Sequence, residues 1–212
     1  MRAGGFFITF EGIDGSGKTT QLWRLAARLR ALGRMVLETA EPGGTAIGRE
    51  IRRILLDAAN QELGPTAELL LYFASRAQNV NQLIVPALSR GEIVLADRFT
   101  DSSLAYQGCG RGLGSETVLA LDRIACGGLK PDLTIFVDID VETSLARARA
   151  RNTAEAGSET RMDEQSLEFH RKVYDAYQAL AAREPERIRR VDGRRGIHEV
   201  EQAVWDIVSA HV

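Results

Sequence analysis

Cysteine is nearly missing from this chain of 212 residues: Cys109 and Cys126 stand alone, with no CxxC and no cluster among the three histidines. That excludes a disulfide framework and a zinc site of the usual spacings, and it fits a reducing, cytoplasmic setting. Lysine is almost as scarce. Of 27 basic residues only Lys18, Lys130 and Lys172 are lysines, so a lysine at a chemically suggestive position is not background. No run approaches the ~18 apolar residues of a membrane helix, and MRAGGFFITFEG at the start lacks an apolar stretch of signal-peptide length. The 29 acidic residues bring the net charge to -2, which argues against a protein that coats nucleic acid or an anionic membrane.

The rest of the composition, 44% hydrophobic and 26% charged, is that of a globular protein, and residues 1–212 suit one compact domain. Phe6–Glu11, Met35–Thr39, Glu92–Asp97, Leu133–Ile139 and Arg187–Asp192 read as strands, several apolar on both faces as a buried parallel sheet requires. Helical patterns over 18–32, 46–58, 66–84, 115–126, 141–151, 164–183 and 197–210 alternate with them. The alternation predicts an α/β fold, a five-stranded parallel sheet flanked by helices on both faces. Such sheets bind ligands beyond the carboxyl ends of their strands, which points to Gly12–Thr19, Glu41–Thr45 and Asp97–Gly112. The polar, non-periodic stretch Asn152–Thr160 reads as a lid, within a lid segment of about 147–162.

Gly12-Ile13-Asp14-Gly15-Ser16-Gly17-Lys18-Thr19 matches G-x-x-x-x-G-K-[ST] in full, after an apolar strand and at the opening of a helix. Its glycines let successive backbone N–H groups turn toward phosphate oxygens, and the helix adds its positive dipole end. Lys18 reaches the β- and γ-phosphates and the Thr19 hydroxyl suits Mg²⁺, so Gly12 through Thr20 form the expected ATP-binding segment. A P-loop alone does not choose a reaction. The chain has no guanine-reading N-K-x-D, and 212 residues leave little room for a transporter ATPase. A small kinase with a second site for the phosphate acceptor remains.

FEGIDGSGKTTQ at 10–21, EPGGT at 41–45, LLYFASRAQ at 70–78, DRFTDSSLAYQGCGRG at 97–112 and PDLTIFVD at 131–138 stand in one order ahead of an arginine-rich stretch. Together they resemble the thymidylate kinase family over nearly the whole chain. The likeness implies a P-loop kinase fold, transfer of the ATP γ-phosphate to dTMP, dependence on Mg²⁺ and a homodimer. It implies that Asp97 holds Mg²⁺ with Thr19 and that Arg98 grips a phosphate between donor and acceptor. Tyr72 and Arg76, four apart on one helix face, become the ring that stacks on thymine and the donor to its carbonyl. Phe73 is a substitute ring, since similar enzymes carry Phe where Tyr72 stands. Ser103 and Gln107 fall to the thymine edge, Tyr106 to the sugar 2′ position, Asp14 to a sugar hydroxyl and Arg52 to the acceptor phosphate. Without the likeness the same residues read as helix packing and a strand-end ion pair. The chain departs from the family at Phe99, usually Tyr or His, and at Ala40, usually Arg in similar bacterial enzymes. By likeness Asp192–Arg195 lies against adenine. Cys109 reads as a small neutral filler rather than a reactive thiol.

ARARAR at 146–151, with Arg161 beyond it, reads by pattern alone as a solvated helix end. Some thymidylate kinases carry an arginine where Gly15 stands, and those with glycine take their catalytic arginine from the lid. The likeness therefore implies Arg151 first, with Arg161 and Arg147 as further candidates. ATP and a nucleoside monophosphate bring about six negative charges, and the acceptor oxygen is already ionised. Catalysis then needs alignment and charge neutralisation rather than a strong base. A deoxynucleoside kinase, or another small P-loop kinase, would need a carboxylate base and leave Arg98 and Arg52 without an acceptor phosphate. A non-enzymatic nucleotide switch would have no use for a second phosphate-lined site.

Overall fold

The computed structural model describes residues 4–155 and 159–212, those at 151–155 by backbone alone. Strands β1 (Phe6–Glu11), β2 (Val36–Ala40), β3 (Ile93–Asp97), β4 (Leu133–Asp138) and β5 (Ile188–Asp192) form one parallel sheet in the order β2-β3-β1-β4-β5. β1 lies at the centre, with Phe10 paired to Asp97 of β3 and Glu11 to Phe136 of β4. The chain leaves β1 between two neighbours and crosses to both sides of it, the arrangement that opens a ligand crevice at the carboxyl ends. β3 and β4 are buried almost throughout, which is why their sequences are continuous apolar runs. The edge strand β5 instead exposes Arg189 and Arg190, charges that discourage pairing with another chain.

Side chains alternate along β1. Ile8 and Phe10 meet Leu22, Leu25 and Leu29 of α1 (Lys18–Ala31) and Val200 and Val204 of α9 (Ile197–Val208) on one face. Arg28 stacks over Trp205 at 4.0 Å and ties those two helices together. Phe7 points to the other face, toward α3 (Pro65–Asn79), α4 (Val85–Ser89), α6 (Ser115–Cys126) and α8 (Leu167–Arg183), where Phe99, Phe136, Val173 and Tyr177 fill the layer. Helix α2 (Ala46–Leu56) packs on α3, and α7 (Val141–Glu155) leads toward the lid. Among the described residues no helix is long and apolar enough to cross a membrane.

The expected strands agree with the structure to within a residue at either end, and the departures have local causes. The helix predicted over 66–84 runs on to Ser89 through a π-helical turn at Val80–Ile84. Pro86 has no N–H to give the preceding turn, and widening the helix ahead of it accommodates that loss. The helix predicted from 164 begins at Leu167, because the Ser166 hydroxyl caps it by accepting from the Phe169 N–H. The segment 97–112, outside the helices expected from the pattern, is largely helical: α5 (Thr100–Ser103) continues into a π-helical stretch, Leu104–Gly110. Its serines and glycines are weak helix formers. Tertiary contact holds it, with Gly110 so close to Phe169 that a Cβ would lie 2.6 Å from the ring.

Leu29 is fully buried between α1 and the sheet. Leu29→Ala should cost about 2–5 kcal/mol, read as a lower urea midpoint with an unchanged slope.

Candidate active site

The P-loop joins β1 to α1 with Gly12, Gly15 and Gly17 at φ 140, 73 and 91, where only glycine is unstrained. At Gly12 a Cβ would lie 2.5 Å from the Val137 carbonyl, and at Gly15 2.6 Å from that of Ser144. Helix α1 starts at Lys18 with no side-chain cap, so its first N–H groups are directed at whatever anion the loop receives. Burial and the nearby Arg98 hold the Lys18 ammonium below its ordinary value. The Thr19 hydroxyl donates to the Asp97 carboxylate.

Arg98 is the one described residue other than glycine with positive φ, at 72. Its backbone is pinned by its own N–H on Phe10 O at 3.0 Å and by the Phe99 N–H on Glu11 Oε1 at 2.7 Å. Its guanidinium donates to Gly12 O at 2.9 Å, Ser102 Oγ at 3.0 Å, Tyr177 OH at 3.2 Å, Tyr106 OH at 3.2 Å and Asp14 Oδ1 at 2.6 Å. Burial opposes ionisation of Asp14, but the charges of Arg98 and Lys18 outweigh it and hold the carboxyl well below the usual carboxylate range.

A cavity of about 310 Å³ opens beside this group. It brings together Asp14, Lys18, Thr19, Ala40, Arg52, Tyr72, Arg76, Asp97, Arg98, Ser103, Tyr106 and Gln107, drawn from five segments of the chain. Arg76 is buried and held on three sides: Nε on Glu41 at 2.6 Å, and NH2 on Phe99 O at 3.1 Å and Ser103 Oγ at 3.0 Å. Its NH1 is buried with no partner among the described residues, an arrangement costly unless a ligand satisfies it. Gln107 donates its Nε2 to Glu68 at 2.9 Å. Burial pushes the Tyr72 phenol up to about 12, so it stays neutral. Arg52 holds Glu159 through Nε and NH2, the latter at 2.8 Å, and donates NH1 to Pro42 O at 3.1 Å.

Three expectations need correction or bounding. Phe73 does not face the cavity; one residue on from Tyr72 along the helix, it turns into the core and lies under Arg76 at 4.7 Å. Arg161 is buried away from the cavity, with Nε on Leu55 O and NH2 on Glu68 at 2.8 Å, so its charge is committed to a structural pair. The Arg151 side chain lies outside the described residues. Arg147, exposed on α7, reaches Gly193 O at 3.2 Å and borders a second cavity of about 290 Å³ with Gly15, Thr20, Gly193 and Arg195. The loop expected near adenine thus stands at the outer side of the P-loop.

Sequence reasoning missed the acids that hold these cations. Glu11 and Glu41 stand in motifs and Glu159 in the lid stretch, but none of them, nor Glu68, is marked by the sequence as the partner of an arginine. Their spacing from Arg98, Arg76, Arg161 and Arg52 is long-range, so only Glu11, a charge at the end of an apolar strand, carried a hint. Burial, reinforced by Asp101, pushes the Glu11 carboxyl from 4.5 to about 7. Between those values the folded chain keeps a proton that the unfolded chain releases, so stability from this group falls as pH rises through the window. Glu11→Gln should therefore flatten the fall in melting temperature between about pH 5 and pH 7; a slope equal to wild type would refute the assignment.

The family model for thymidylate kinase matches residues 10–204. The chain is similar to a thymidylate kinase of Pelobacter propionicus, 53% identical over 201 residues that cover 94% of this chain and 92% of that protein. It is 54% identical over 196 residues to one of Geobacter sp. strain M21, covering 92% and 87%. One of Geobacter sulfurreducens is 49% identical over 205 residues, 96% of each chain. On the family model and on these relatives, the chain belongs to the thymidylate kinase family.

Proposed function

We propose that the two cavities on either side of the P-loop are the acceptor and donor sites of a dTMP kinase, which transfers the γ-phosphate of ATP to dTMP to give dTDP and ADP. The observation that carries the acceptor assignment is the buried NH1 of Arg76, without a partner among the described residues, beside Gln107, whose amide nitrogen is already taken. A fixed donor next to a free acceptor complements the carbonyl and N3–H edge of thymine. Tyr72 supplies a neutral ring for stacking, and Ser103, whose oxygen accepts from Arg76, keeps its own hydrogen for the base. Tyr106, donating to Asp14 at 2.8 Å, presents a ring edge to the sugar and favours a deoxyribose.

The donor phosphates fall to the backbone of Gly12–Thr19 and to Lys18, with Thr20, Arg147 and the Gly193–Arg195 loop along the outer side. Thr19 and Asp97 are hard oxygen donors already in contact, a set suited to Mg²⁺ rather than to softer metals. When bound there, the ion supplies neutralisation of phosphate charge. Arg98 and Arg52, which both line the cavity, take the acceptor phosphate. The phosphate oxygen needs no base, so these residues act by alignment and charge. Arg147 and Arg151 are the lid arginines assigned to the transferring group, since Arg161 is held by Glu68. Exposed Leu70 on α3 and Leu119 and Ile124 on α6, two helices in contact, support a homodimer.

ADP release with Mg·ATP, run in parallel with dTMP, dUMP, thymidine and no acceptor, tests the reading. dTMP should drive turnover and thymidine should not; equal release in every tube would leave only an ATPase. Arg52→Ala should raise the KM for dTMP by about tenfold or more while the KM for ATP stays near wild type. A change confined to ATP would misplace Arg52.

A further inference from the structure

Glu68 sits in the first turn of α3, fully buried, and has no part in the phosphate chemistry assigned above. Three side chains donate to it. Gln107 Nε2 reaches Oε1 at 2.9 Å, and Arg111 Nε reaches Oε1 at 3.2 Å with NH2 on Oε2 at 2.9 Å. Arg161 NH2 reaches Oε2 at 2.8 Å. Burial alone would raise the Glu68 carboxyl, but the bonds from Arg111 and Gln107 outweigh it and hold the group below its ordinary value. Neither arginine is free to slide. Arg111 also donates to Gln165 Oε1 at 2.7 Å and lies over Phe169 at 4.8 Å, and Arg161 is anchored on Leu55 O.

An ionised carboxylate only accepts hydrogen bonds, whereas a glutamine amide has one donating and one accepting face. Beside a fixed acceptor, Gln107 has to turn its NH2 inward. Its Oε1 is then left for the cavity, and among the described residues nothing donates to it. We propose that Glu68, clamped by Arg111 and Arg161, is the positioning residue that sets which way the Gln107 amide faces. The cavity is thereby selective for a base that carries N–H, rather than a lone pair, where it meets Gln107. This rests on the reading of the cavity as the acceptor base site. Thymine and uracil present N3–H to Oε1; cytosine presents a lone pair to a lone pair. Arg76 makes the neighbouring donor through Glu41, a separate pair, so the two readers of the base edge are fixed by two different buried acids.

The test compares kcat/KM for dTMP and dCMP in wild type, Glu68→Gln and Glu68→Asp. A glutamine at this position can offer Gln107 either a donor or an acceptor, so the preference for dTMP should fall by about tenfold or more. Asp keeps an acceptor-only group and should keep the preference even where its KM rises. A merely structural role would lower both nucleotides in proportion and leave the ratio alone, and since Arg76 is untouched the ratio reads position 3 of the base. An unchanged ratio in folded Glu68→Gln overturns the proposal. Should that variant melt below the assay temperature, wild type decides: dTMP methylated at N3 should bind at least roughly 30-fold more weakly than dTMP, and equal binding overturns it. Wild type that turns over no dTMP at all would fail the site reading itself, a result distinct from either.

Discussion

The pair formed by Arg98 and Asp14 joins the carboxyl end of β3 to the loop that leaves β1, and the geometry of the site hangs on it. A non-glycine residue at positive φ costs about 1–3 kcal/mol unless its surroundings compensate. Here the surroundings are a set of five acceptors around one guanidinium. Glu11 stands behind two of them. Ser102 and Tyr177 both donate to its Oε2, at 2.6 and 3.0 Å, which turns their lone pairs toward Arg98. The cation is aimed before any phosphate arrives, so its orientation is not entropy lost at the moment of binding.

The same principle ranks the other cations of the site. Arg76 with Glu41 is buried to 1% exposure on both sides, and removing either partner would strand a charge in the core. That pair is scaffolding with one donor left over. Arg52 with Glu159 is open to solvent, 36% and 47% exposed, and such a pair is worth at most about 1 kcal/mol. Any anion would therefore compete on easy terms for Arg52 and on hard terms for Arg76. Exposure alone separates an arginine free to exchange its partner from one locked in place by its own.

Much of this was legible in the chain. The P-loop carries its own confirmation in the strand before it and the helix after it, and the continuous apolar runs fixed a parallel sheet with its ligands at the carboxyl ends. Tyr72, Arg76, Ser103 and Gln107 follow helical spacing within short motifs, and the structure brings them to one cavity. What escaped was long-range. Arg161 has a motif-like position beside the lid, yet it finds Glu68, 93 residues away, in the core. Phe73 and Tyr72 are adjacent aromatics on one helix, and only the packing of α3 decides which of them faces the cavity. The helical stretch after β3 has many small residues and little helical propensity of its own, and close packing against Phe169 holds it.

Gly15 and the lid arginines are two sides of one geometric fact. At φ 73, with the Ser144 carbonyl 2.6 Å from where a Cβ would stand, position 15 admits neither an arginine nor any other side chain without moving α7. That close approach is built in from the helix side as well: Ser144 Oγ donates to Asp14 O, and Arg147 NH1 to Gly193 O at 3.2 Å. The root of α7 is thus fastened to the phosphate loop. The helix occupies the space that an arginine side chain at position 15 would need, so on this wall α7, with Arg147, stands where such a charge would otherwise be.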